Sequence, residues 1–138
     1  MGRTFVDVEV ENYRDVVLKE AAGNGQEEVR KKTIRALVDT GSALLCLHRD
    51  VIEALGLQFS RAAEVRTANG NVERRIYDVA RITIFDRHCF IQVMEIPEGI
   101  PPLLGYVALE NLDLVVDANS NQVVPNPESG GKFTLDLL

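Results

Sequence analysis

The chain is short of the residues that build metal centres and disulfides. It holds two cysteines, Cys46 and Cys89, and two histidines, His48 and His88. The cysteines lack metal-ligand spacing and sit in apolar, strand-like runs. Both read as buried free thiols, and no zinc centre is expected. Nor does Cys46 have the electropositive setting that activates a thiol nucleophile. Positive charge is scarce as well. A formal net charge of −6 gives no reason to expect nucleic acid or an anionic membrane as partner. No apolar run is long enough to span a bilayer. Met1-Gly2-Arg3-Thr4 leads into an alternating stretch rather than a signal-peptide core, and Val6 stands where a myristoylation signal wants Ser or Thr. A cytoplasmic location is the expectation. The 138 residues suffice for one domain with a proper core. We place a single domain over 1–138, its core over about 29–124 and a tail over 125–138.

What is present is one stretch, Ala36-Leu37-Val38-Asp39-Thr40-Gly41-Ser42-Ala43, followed by Leu44-Leu45-Cys46-Leu47. It reads as a buried strand, a tight turn carrying a carboxylate, and a buried return strand. Gly41 lets the turn bend and lets a ligand backbone come close, and Thr40 offers a hydroxyl that can lock the loop. Taken alone, Asp-Thr-Gly is also what an ordinary Asx-type turn between two strands looks like.

In chain order, Thr4 to Asn12 alternates as a half-buried strand. Asn12 to Asp15 reads as a turn, Val16-Val17-Leu18 as a second short strand, and Ala21 to Glu28 as a loop around Gly23-Asn24-Gly25. Val29 to Val38 is a long strand whose basic start, Arg30-Lys31-Lys32, is solvated. Arg49 to Leu55 has helical spacing, with Gly56 as its stop. Ala63–Ala68 and Val72–Phe85 are strands joined by Asn69-Gly70, a hairpin signal. Its tip could be an ordinary surface turn or a mobile flap. Cys89 to Ile96 is a strand, Pro97 to Pro102 a loop, and Leu103-Leu104-Gly105 precedes a short helix from Tyr106 to Leu112. Leu114–Asp117 and Gln122–Val124 flank a turn, in which Asp117 lacks a following Thr-Gly. After the breaker-rich stretch from Pro125 to Gly131, Phe133 to Leu138 alternates and needs a partner strand.

Three of these features together resemble the retropepsin-like aspartic proteases, the clan of the retroviral enzymes. Ala36 to Ala43 resembles the catalytic loop. Arg66-Thr67-Ala68-Asn69-Gly70 falls where that family has its flap, and Leu103-Leu104-Gly105 resembles the hydrophobic-hydrophobic-Gly before its helix. Order and spacing agree over about Val29 to Val124, and the Val116-Asp117 turn with the later Pro-Asn-Pro resembles small prokaryotic members. The resemblance implies a mostly β fold: a closed antiparallel β-barrel with a flap hairpin and one or two short helices. It implies a homodimer, because one chain supplies one Asp-Thr-Gly loop, with Phe5–Glu11 and Phe133–Leu137 as candidate edge strands at the interface.

The resemblance further implies an aspartic endopeptidase in which Asp39 is catalytic, acts with its symmetry mate, and requires no cofactor or metal. Thr40 would donate across the dimer, Gly41 would give its backbone to substrate, and Ser42 would hydrogen-bond the outer carboxylate oxygen. Ala68, Asn69 and Gly70 would cover an extended peptide, while Leu104 and Gly105 would support the loop. The chain departs from retroviral members in a flap tip with little glycine and in Tyr106-Val107 after Gly105. The alternatives are a catalytically silent dimeric peptide-binding or regulatory domain on the same fold, and an unrelated β-barrel in which Asp39 only makes a turn.

Overall fold

The computed structural model describes residues 3–23, 28–39, 41–135 and 137. Alternating apolar and polar side chains make Phe5–Asn12 a strand, β1, that buries Val8 and Val10 completely. The next element is a helix, α1 (Tyr13–Ala22), so the expected turn and short strand over Val16-Val17-Leu18 are corrected. The reason is local. Asn12 caps the helix through its side chain, which accepts from the Asp15 N–H at 3.0 Å, and Gly23 ends it with a left-handed φ of 72°. Of the three apolar residues, Val16 alone is buried. Gly23 closes the helix, and Asn24 and Gly25 of the expected loop lie outside the described residues.

The chain continues as β2 (Lys31–Asp39), β3 (Leu45–His48), α2 (Arg49–Leu55), β4 (Phe59–Thr67), β5 (Gly70–Ile84) and β6 (Arg87–Ile96). After the loop from Pro97 to Pro102 come β7 (Leu103–Gly105), α3 (Tyr106–Asn111), the hairpin β8 (Leu114–Asp117) and β9 (Gln122–Pro125), and a 3-10 turn, Pro127–Ser129. Three α-helices are present among the described residues, where one or two were expected. β4 begins at Phe59, earlier than the alternation suggested, because its first residues still pair with Tyr77 and Ile76 of β5.

Seven strands form one sheet in the order β1-β2-β7-β3-β6-β5-β4, and β1 also pairs with β5. Six strands therefore close into a barrel, with β4 outside the ring as the free arm of a hairpin. Most pairs are antiparallel, as expected, and β2–β7 and β3–β6 are parallel. Closure corrects one expected edge. Glu9–Glu11 of β1 is paired on both sides, by β2 and by β5, while Phe5–Val8 pairs with β2 alone. At the seam Glu11, itself buried, accepts from Arg81 directly opposite at 2.8 Å.

The barrel is filled from every wall. Val8, Ala36, Leu45, Leu47, Ile82, Val93 and Leu104 all point into it and are fully buried. Ile52 and Leu55 of α2 and Ala108, Leu109 and Leu112 around α3 close its ends. Each large side chain so buried contributes roughly 1.5–3 kcal/mol. The stretch after Gly131 does not form the expected strand: Phe133 to Leu135 is irregular, tied down by Thr134 N–H donating to Asp113 Oδ2 at 3.0 Å. Asp136 and Leu138 lie outside the described residues.

Candidate active site

β7 is only three residues long, yet it organises the Asp39 loop. It lies between β2 and β3, parallel to the first and antiparallel to the second. Leu104 pairs with Val38 on one side and Leu45 on the other, and Gly105 pairs with Asp39. The two strands flanking β7 are those that enter and leave the loop. Their crossing therefore places Asp39 beside Gly105 at one end of the barrel.

Packing there leaves room for glycine alone. A Cβ on Gly105 would fall on the carbonyl oxygen of Ser42, with the carbonyl carbon at 2.6 Å. Gly105 thus lets the loop backbone rest directly on β7. Leu104, fully buried, fills the space below. The Gly105 contact falls on the loop backbone at Ser42 and Ala43.

Within the loop, Gly41 N–H donates to Asp39 Oδ1 at 2.9 Å, and Ser42 N–H donates to the Asp39 carbonyl at 3.2 Å. Asp39 is half-buried. Among the described residues no donor reaches its Oδ2. Thr40 lies outside the described residues.

The Ser42 side chain departs from expectation. Its hydroxyl donates to the Leu44 carbonyl at 2.8 Å and lies 3.3 Å from Cys46 Sγ. It does not reach the Asp39 carboxylate, because the loop turns it back toward its own descending strand. Cys46 therefore belongs to the loop's foundation, a role that the sequence reading missed. Its spacing of four residues from Ser42 carried no strand or helix signal of contact. Burial pushes the Cys46 thiol up, opposed by the Ser42 bond and reinforced by the Asp39 charge. Burial also pushes Cys89 up, to about 11. Both are free thiols.

The flap candidates stand apart from this cluster. Ala68 and Asn69 form a two-residue turn between Thr67 and Gly70, whose φ of 110° suits glycine. The Thr67 hydroxyl donates to the Gly70 carbonyl at 2.6 Å and accepts from the Asn69 N–H at 3.2 Å. The turn is exposed, and no hydrogen bond joins it to the Asp39 loop among the described residues. At the base of the hairpin, Arg75 stacks over Phe59 at 3.9 Å and Phe59 meets Tyr77 edge-on at 6.1 Å. A cavity of about 370 Å³ between α1 and β5, lined by Tyr13, Arg30, Leu57 and Val79 among others, is not lined by Asp39.

Residues 26–111 match the family model described as "gag-polyprotein putative aspartyl protease". The chain belongs to this family. The match takes in the Asp39 loop, the β4–β5 hairpin and β7 together. The aspartyl protease family and the closed barrel thus agree with the resemblance read from the three motifs. A search of curated proteins found no match. No helix among the described residues is long and apolar enough to cross a membrane.

Proposed function

We propose that two copies of this chain form an aspartic endopeptidase, with their Asp39 side chains paired at the interface. The observation that supports this most is the state of the Asp39 carboxylate. One oxygen is fixed by the Gly41 N–H, the other has no donor among the described residues, and the loop rests on β7 through Gly105. Family membership points the same way.

Two carboxylates held close together cannot both ionise easily, so the pair holds one proton between them. The charged member takes a proton from water as the water attacks the scissile carbonyl. The protonated member donates to the carbonyl oxygen, and the resulting gem-diol collapses as the leaving amine takes a proton. This route needs no metal and no covalent intermediate. The substrate in this reading is an extended peptide, bound as an added strand beneath the β4–β5 hairpin. Ser42 serves to shape the loop through its bond to the Leu44 carbonyl.

The test is cleavage of a diverse peptide library between about pH 4 and 7, with wild type and Asp39→Asn compared after both are shown to be folded. Cleavage by wild type that vanishes in the variant is the expected result. Cleavage that persists in the variant removes Asp39 from the chemistry. A folded dimer that cleaves nothing at any pH favours the silent peptide-binding reading.

A further inference from the structure

On the far end of β3 from the Asp39 loop, three side chains from two parts of the chain converge. His48 ends β3, Asp50 lies in the first turn of α2, and Glu98 belongs to the loop between β6 and β7. One ligand atom of each lies within 4.8 Å of the others. From this convergence we infer a binding site for a divalent transition-metal ion, such as zinc, held by one imidazole and two carboxylates.

Three observations bear on it. His48 Nε2 lies 2.6 Å from the Ile100 carbonyl oxygen. A carbonyl can only accept, so Nε2 donates here and Nδ1 is the ring nitrogen left to ligate. Metal-bound histidines are held in the same manner, donating one ring N–H to a carbonyl while the other nitrogen ligates. Second, two carboxylates stand close together without a cation: neither Asp50 nor Glu98 has an ion-pair partner among the described residues. Arg49, next in sequence, reaches instead toward Glu53 at 3.6 Å and Glu95 at 4.0 Å. Third, the donors suit the ion. One nitrogen with two carboxylate oxygens fits zinc and its neighbours, whereas calcium and magnesium prefer oxygen alone. Ligands around one zinc ion stand about 3–3.5 Å apart. Asp50 and Glu98 are exposed, so their side chains can close that gap by rotation.

The ion would clamp the loop that leads into β7 onto the start of α2. That loop is otherwise tied to the barrel by the His48–Ile100 contact and by Leu37 N–H donating to the Pro102 carbonyl at 2.8 Å. The site is separate from Asp39 and does not depend on proteolysis.

The experiment is calorimetric titration of the full chain with zinc chloride, for wild type, His48→Gln, Glu98→Gln and Asp39→Asn, each checked for native circular dichroism. One ion per protomer is expected. Dissociation constants should rise at least tenfold in His48→Gln and Glu98→Gln and stay unchanged in Asp39→Asn. Zinc should raise the wild-type Tm and leave that of Glu98→Gln unmoved. Cobalt in place of zinc should give visible bands without the near-ultraviolet charge transfer of a thiolate, which excludes Cys46 and Cys89 as ligands. Should His48→Gln fail to fold, Glu98→Gln decides. Absence of binding at millimolar zinc overturns the site. So does binding at wild-type affinity in either variant, or loss of binding in Asp39→Asn.

Discussion

Gly105 is where one missing carbon matters most. In Gly105→Ala the new Cβ would occupy the position of the Ser42 carbonyl oxygen, and backbone cannot swing aside as a flexible side chain can. Overpacking of this kind costs typically about 1–3 kcal/mol. Here the strain falls on the Asp39 loop. Gly105→Ala should therefore lower the urea unfolding midpoint and reduce any peptide cleavage more than its stability loss explains. A variant with wild-type midpoint and wild-type rate would show that the loop has room to move. The Asp39 loop was legible in the sequence because its residue types are those the turn demands. The partner of the Ser42 hydroxyl was not legible, since it depends on how the loop turns over Cys46.

Asn12 shows how an element can be misread from its apolar residues. Val16-Val17-Leu18 suggested a strand, but the decisive group is the residue that precedes the helix. Asn12 accepts from Asp15 N–H through Oδ1, and its Nδ2 donates to the Leu55 carbonyl at 2.8 Å and the Gly56 carbonyl at 3.2 Å. One amide thus caps α1 and ties it to the end of α2. Asn12→Ala should cost about 1–3 kcal/mol in chemical denaturation, from loss of the cap and from buried carbonyls left unpaired. Asn12→Asp keeps the cap acceptor but sets a carboxylate against two carbonyls. It should therefore not restore stability, and full recovery in Asp would show that the bonds to Leu55 and Gly56 contribute nothing. The strands were legible from alternation. α1 was not, because capping is a side-chain contact rather than a period.

At the scale of the molecule, acid should loosen the fold through carboxylates that it holds ionised. The Arg30 guanidinium holds the Asp15 carboxyl below its ordinary range, against partial burial. A hydrogen bond from the Ser129 side chain does the same for Asp113, with smaller help from Asn126 and the Thr134 N–H. A carboxyl lowered on folding binds its proton more readily in the unfolded chain. Its stabilisation is therefore present above the ordinary value of 3.8 and is lost as pH falls through the lower folded value. Urea midpoints should fall progressively below about pH 5, and Asp15→Asn should flatten the slope. An unchanged slope in that variant would remove Asp15 from the account. Barrel closure itself was not legible in order or register. The pairing of Glu11 with Arg81 joins strands with three others between them in sequence, and no local pattern announces such a partner.

The insertion of β7 between β2 and β3 bears on how the protein is made. Strands β2 and β3 meet through Leu103-Leu104-Gly105, so the Asp39 loop cannot be seated on β7 before those residues have been synthesised. At roughly 5–20 residues per second, a ribosome spends several seconds between Asp39 and Gly105. Until then the loop lacks the β7 backbone it packs on, so it can take its final shape only after most of the barrel strands have been made. Any proteolytic competence would thus emerge after the barrel chain is nearly complete, which delays it by the order of strands alone.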